Sequence, residues 1–421
     1  MKFWQKLTVV LKDKSIRNKI LFLLGILIVF RMLSSIPVPG VDVFQLQSLL
    51  QTNQFFGLLN IFSGGGLSSL SLVLLGVGPF ITSSIVMQLL TVISPRLKSM
   101  FHEEGAIGRD RFTQISRIIT IPLAAIQGFG LLLLLQQQGV LVDQTTLQTV
   151  TNLASIIAGS FILMWLGELI SEYGIGNGVS VIIFAGIVSA IPSQISQFSF
   201  TFDVAQIPLY LAFVVLALLI IAGVILVTEA ERLIPTTYAN ASRQGGSGTV
   251  HSFVPLKVNM AGVMPIIFAL SILLFPQLIV TFLSASSASW AEGVVNALNW
   301  FLQSVWVYSL VYFALVFAFT YFYTSITFDA DAMASNLQKQ GAFIPGVRPG
   351  NSTKEYIEKI VKRITFLGGL FLGLIAVLPV LTQQLTGIPS LTIGGTALLI
   401  VVSVIIDITK KLDGAVAMRQ Y

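Results

Sequence analysis

The chain has 421 residues, 55% of them hydrophobic and only 10% charged, with a mean hydropathy of +0.88. Soluble domains carry about 25% charged residues, so this composition excludes a soluble protein of this size. The formal net charge is +6, and cysteine is absent, which excludes disulfides and thiolate chemistry.

A helix that crosses a bilayer needs about 20 mostly apolar residues. Ten such runs are expected, at 20–36, 76–93, 118–138, 152–170, 178–195, 207–228, 260–283, 301–327, 363–381 and 393–408. The first ends in Ser34-Ser35-Ile36-Pro37-Val38-Pro39-Gly40 with no small-x-small cleavage pattern, so it reads as a span and not a signal peptide. Basic residues mark the cytoplasmic side of a membrane protein. Of the 24 Lys and Arg residues, all but Arg31 precede span one or follow spans two, six, eight and ten. The opposite face carries only Asp42, Asp143, Asp203 and Glu292. The sorting predicts ten spans with both termini in the cytoplasm.

Ten spans divide into an N-terminal half, 1–196, and a C-terminal half, 197–421. Five is odd, so the second half enters the membrane inverted, and inverted repeats place a pathway between them. The expected fold is therefore an all-α integral membrane protein, with two inverted five-helix halves around a central hourglass pore. The Gly-, Ser- and Thr-rich 229–256 connection reads as their hinge or boundary.

Residues 57–75 precede span two and include three consecutive glycines and four serines. Such backbone at membrane depth survives only when buried in protein or lining a cavity. The segment reads either as a short re-entrant helix in a pathway or as an ordinary external loop. Val77 and Ile81 are four apart on one helical face, as are Val179 and Ile183. That spacing does not choose between pore lining, packing and lipid contact. The loops 229–259 and 328–362 are long and basic, and fit an acidic partner, RNA or anionic lipid as well as a role in topology alone.

Enzymatic signatures are missing. His102 and His251 are the only histidines, no His-Glu-x-x-His occurs, and no phosphate-binding Gly-x-x-x-x-Gly-Lys-Ser/Thr occurs. No cofactor or metal is expected. A secondary transporter shares ten spans and inverted repeats, but Arg31, Glu168 and Asp407 form no ionisable cluster near the midplane. An insertase or assembly scaffold is a further reading.

Several stretches resemble the SecY family of protein translocases. They are Phe62-Ser63-Gly64-Gly65 with Leu75-Gly76-Val77-Gly78-Pro79-Phe80-Ile81, Trp165-Leu166-Gly167-Glu168 with Gly174-Ile175-Gly176-Asn177-Gly178, Pro255 to Pro265, Gly341 to Gly350, and Gly394-Gly395-Thr396. The resemblance runs from about residue 15 to the end, and its wording is bacterial. It implies a passive, gated polypeptide channel in the inner (plasma) membrane, which passes unfolded secretory chains and releases hydrophobic segments sideways into membrane lipid. It implies a plug at about 57–72, including Phe62, Ser63, Gly64, Gly65, Gly66 and Leu67. It implies a pore ring of Val77, Ile81, Ile183, Ile267 and Ile400, with Val179 nearby. A lateral gate would lie between spans two and three and spans seven and eight, with Gln88 and Asn259 at polar gate positions. Arg348, with Arg243 and Lys257, would dock cytoplasmic partners. The implied partners are SecE-like and SecG-like subunits, the SecA motor ATPase, the ribosome, signal peptides and nascent chains. Between Thr236 and Ser252 only Arg243 and His251 are basic candidates, which is sparse for a ribosomal RNA contact.

Overall fold

The computed structural model describes residues 13–38, 66–67, 70–141, 145–201, 207–238, 251–284, 289–386 and 394–417. Helix α1 (Lys14–Ser34) starts at Asp13, whose carboxylate accepts the backbone N–H groups of Ser15 and Ile16 at 2.8 and 3.3 Å. Helix α2 (Gly78–Ile93) stops at Ser94, held extended ahead of Pro95. The chain then turns by 116° into α3 (Pro95–His102). Helices α4 (Gly105–Gln137) and α5 (Thr146–Tyr173) follow, α5 opening on a reciprocal cap between Thr145 and Gln148. Helices α6 (Gly178–Thr201) and α7 (Ile207–Glu229) precede strands β1 (Glu231–Tyr238) and β2 (His251–Lys257). The chain continues through α8 (Met264–Ser284), α9 (Ser289–Gln303), α10 (Val305–Thr327) and α11 (Ala330–Lys339). It closes with β3 (Ala342–Phe343), α12 (Asn351–Thr386) and α13 (Gly394–Ala417).

By length and composition, six described helical stretches can cross a membrane, or seven if the bent α2–α3 pair counts as one. They are α4, α5, α7, α8, α10 with its extension, and α12. The apolar part of α6 is shorter, Gly178–Pro192. The run expected at 301–327 is not one helix, because the chain breaks at Ser304 between α9 and α10.

The expectation of an all-α chain needs correction. Strands β2, β1 and β3 form an antiparallel sheet in that order, joining the two long connections that the sequence suggested were loops. Within the region expected as a hinge or boundary, the described residues 231–238 and 251–256 belong to paired strands. Alternation explains it: Ile234 and Thr236 point inward, 2% and 1% exposed, while Leu233 points out. Beneath the sheet, Ile234 and Leu256 pack with Leu337 of α11 and Ile357, Val361 and Ile364 of α12 in a core of their own.

Inside a bilayer, lipid is as apolar as leucine, so helices associate by close packing rather than by escape from water. Helices α10 and α12 show how. Gly369 and Gly373, four apart, face Phe317 and Phe313, and a Cβ at Gly373 would meet the Phe313 ring at 2.7 Å. The two phenyl rings fill the groove that the glycines leave. The main core draws buried residues from α1, α2, α5, α6, α7, α8, α10, α12 and α13. Helix α8 lies against α2 and α4 on one side and α10 on the other, while α13 lies against α6 and α7. Helix α7 buries only Ile220 and Val224 among its described residues, while Leu211, Leu218, Leu219 and Leu226 point outward.

Candidate pore constriction and gate

The five aliphatic residues expected to form a ring come from four separate helices and the residue ahead of α2. Val77 caps the start of α2 and Ile81 follows one turn on; Ile183, Ile267 and Ile400 belong to α6, α8 and α13. All five are buried, at 1%, 6%, 0%, 1% and 1% exposure, and all belong to the same central cluster. Val179 packs against that cluster half-buried. None of the five points outward. An aliphatic cluster offers no oxygen to replace an ion's hydration shell, and a narrow apolar passage dewets.

Of the expected plug, Phe62, Ser63, Gly64 and Gly65 lie outside the described residues; Gly66 and Leu67 lie inside them. The expected re-entrant helix is not what the described part shows. Residues 66–67 and 70–77 run as successive turns, because the buried backbone finds partners in its own turns and in the chain after α1. The Val38 N–H donates to the Leu70 carbonyl at 2.7 Å, and the Leu72 N–H to the Ile36 carbonyl at 2.9 Å. Ser71, fully buried, donates from both its N–H and its hydroxyl to the Gly66 carbonyl at 2.8 and 3.2 Å. Irregular backbone thus sits within protein with its hydrogen bonds made, the condition it must meet at membrane depth. Leu67, Leu70, Leu74 and Leu75 seat it in an apolar cluster with α4 and α5. Its path depends on Gly159 of α5, where a Cβ would lie 2.1 Å from the Leu72 carbonyl oxygen.

The two polar gate candidates do not hydrogen-bond each other. Asn259, buried between β2 and α8, donates from Nδ2 to the Gly262 carbonyl at 3.2 Å. Its Oδ1 and the Oε1 of half-buried Gln88 on α2 are both buried without a donor. Hydrogen bonds that the sequence reading did not single out hold α2 to α4 instead. The Ser83 hydroxyl donates to the Ser116 carbonyl at 2.5 Å, and Gln127 Nε2 to the Thr82 hydroxyl at 3.4 Å. Hydroxyls inside an otherwise apolar span were the available signal.

Between α4 and α5, Arg117 Nε donates to Glu168 Oε1 at 2.7 Å. Both side chains keep some exposure, 40% and 22%, so solvent screens the pair. Replacing Glu168 with Gln is expected to cost about 1 kcal/mol or less. A double-mutant cycle with Arg117→Gln, read as thermal unfolding in detergent, checks this; a coupling of zero would remove the pair from the account.

Of the docking candidates, Arg348 is exposed on the turn between β3 and α12, its carbonyl accepting the Thr353 hydroxyl at 2.9 Å. Lys257 is exposed at the end of β2, opposite Glu231 in the ladder. Arg243 lies outside the described residues. Among the described residues no three His, Asp or Glu side chains gather in a metal-holding group.

Comparison with known proteins bears on what this arrangement does. A family model described as SecY matches residues 71–409. A curated relative, the protein translocase subunit SecY of Staphylococcus aureus, is 39% identical over 421 residues, covering 97% of this chain and 96% of the relative. Among solved structures, one described as a protein conducting channel superposes with a TM-score of 0.67 at 17% identity, covering 96% of this chain and 93% of that one. Sec61 in a canine ribosome-channel complex from the endoplasmic reticulum superposes with a TM-score of 0.64 at 17% identity, over 96% of this chain and 93% of that one. At that identity the structures speak for the fold.

Proposed function

The chain belongs to the SecY family, and from that premise we propose that it is the channel-forming subunit of a Sec translocase. It passes unfolded secretory polypeptides across the membrane and releases hydrophobic segments sideways into lipid. The observation that carries this is the near full-length likeness to a translocase subunit, together with five buried aliphatic side chains, from separate helices, in one cluster.

In this reading ten spans form two inverted halves, 1–196 and 197–421, with both termini in the cytoplasm of a cell whose plasma membrane holds the protein. Val77, Ile81, Ile183, Ile267 and Ile400 form the ring. Branched hydrocarbon seals against ions and yields around any passing side chain without binding it. The segment about 57–72 is the plug. The contact of α8 with α2 and α4 is the seam that opens sideways. Gln88 and Asn259 flank it as polar side chains in an otherwise apolar seam. SecE-like and SecG-like subunits complete the channel. SecA or the ribosome supplies the driving force and docks on the exposed sheet region through Arg348 and Lys257, with Arg243. The chain itself carries no catalytic residues.

Reconstitution with its partner subunits and motor in proteoliposomes tests the function. A secretory precursor is expected to become protease-protected only with ATP. Flux of small solutes without a translocating chain, and no precursor protection, would favour a transporter. Arg348→Glu is expected to cut motor-driven export at least several-fold while the variant still inserts into the membrane at the wild-type level. Unchanged export by that variant would remove Arg348 from the docking surface.

A further inference from the structure

Helix α9 is built with three faces. Ala291, Val295, Leu298 and Leu302, spaced i, i+4, i+7 and i+11, are buried or half-buried, and α9 packs on α8. Glu292, Asn296, Asn299 and Gln303 repeat the same spacing one residue later and make a polar stripe. The remaining face carries Trp290, Val294, Ala297 and Trp300, all exposed, with Trp290 at 65% and Trp300 at 63%. Gly293 lies on that side, and a Cβ there would meet nothing within 4 Å.

A helix in water alone would not hold two tryptophans outward beside a polar stripe, and a helix spanning lipid would not keep the stripe. Fifteen residues make about 22 Å of helix, short of the ~30 Å hydrocarbon thickness. The end of the molecule at which it lies is fixed by the chain. Helices α8 and α10 join it at both ends, and the three-stranded sheet precedes the first and follows the second. Helix α9 therefore sits at the ends of α8 and α10 remote from the sheet. Ile279 of α8 and Trp306 and Leu310 of α10, the helices it joins, are exposed apolar residues as well.

We propose that α9 lies in the plane of the membrane interface and seats Trp290, Val294 and Trp300 at the boundary between phospholipid headgroups and acyl chains, its polar stripe turned to water. Tryptophan favours that depth, apolar at one end and a hydrogen-bond donor at the other. The occupant of the exposed face is phospholipid held by apolar insertion, since α9 carries no Lys or Arg to select an anionic headgroup. Tethered to both α8 and α10, the helix makes the lipid interface a contact of two helices flanking the seam, independent of what passes through it.

The absence of cysteine allows single sites to be spin-labelled in the full-length chain. With the chain in phosphatidylcholine vesicles, labels at Val294→Cys, Ala297→Cys and Trp300→Cys are expected to collide with oxygen in preference to a water-soluble nickel chelate. Labels at Glu292→Cys, Asn296→Cys and Gln303→Cys should show the reverse preference, and the pattern should persist when anionic lipid is added. Preferential collision of the first set with nickel would place that face in water and overturn the proposal. Protection of the first set from both reagents would mean a protein covers it, and would overturn the proposal equally. Leu218→Cys on α7 serves as a reference: loss of oxygen preference there would instead challenge the membrane placement of the whole chain.

Discussion

Asparagine in place of Ile183 or Ile267 is expected to raise ion leak through the resting protein and to let precursors with defective signal sequences through. Both side chains are essentially inaccessible, at 0% and 1% exposure, in a cluster of aliphatic and aromatic side chains in which, among the buried members, only Tyr312 carries a polar atom. A carboxamide there finds no partner unless the cluster parts or water enters. An unsatisfied buried amide costs about 1–3 kcal/mol, which shifts the ratio of open to closed forms by roughly 5- to 150-fold. The open form gains because water and a passing chain can both solvate the amide. Ion flux into dye-loaded vesicles and export of a signal-defective precursor are the measurements. The conservative Ile183→Val and Ile267→Val should stay near wild type in both. Tight vesicles and unchanged signal discrimination in the Asn variants would take these residues out of the ring.

Alanine at Gly159 is expected to have the second large effect. The new methyl would stand 2.1 Å from the Leu72 carbonyl oxygen and 2.8 Å from its carbon, both backbone atoms that cannot rotate away. The segment 70–77 must then shift off α5. That disturbs the Leu72–Ile36 hydrogen bond and carries Val77 with it. Overpacking of this kind costs about 1–3 kcal/mol, so a lower unfolding temperature in detergent should accompany a raised resting leak. Gly25→Ala, whose methyl would meet nothing within 4 Å, is the matched control and should be neutral in both. A Gly159→Ala protein as stable and as tight as Gly25→Ala would contradict the described path of the segment.

The long helices were legible because an apolar run of span length is a strong one-dimensional signal. The sheet was not. Strand β1 contains Pro235 and a run of polar residues, and it is completed by Phe343 and Ala342, more than a hundred residues on. Such pairing leaves no local periodicity beyond the alternation of Leu233, Ile234, Pro235 and Thr236. The break at Ser304 was hidden because α9 is apolar on two of its three faces, so a hydropathy window runs through it. At the candidate site, the resemblance singled out five residues that lie buried in one cluster, but it did not announce the turns at 66–77. Gly and Ser there announced irregular backbone without saying which carbonyl each N–H would reach. The polar candidates Gln88 and Asn259 were legible as residues but not as partners, since side-chain pairing depends on the packing of α2 against α8.

The central claim is that a translocating chain threads between the five aliphatic side chains. A secretory precursor stalled halfway, carrying a photoreactive or cysteine-directed probe, can be tested against single cysteines at Ile81, Ile183, Ile267 and Ile400 in this cysteine-free chain. Adducts at all four positions that disappear without the motor, and none at Leu218 on the outward face of α7, are the predicted result. Adducts at Leu218 with none at the four buried sites would mean that the polypeptide takes another path.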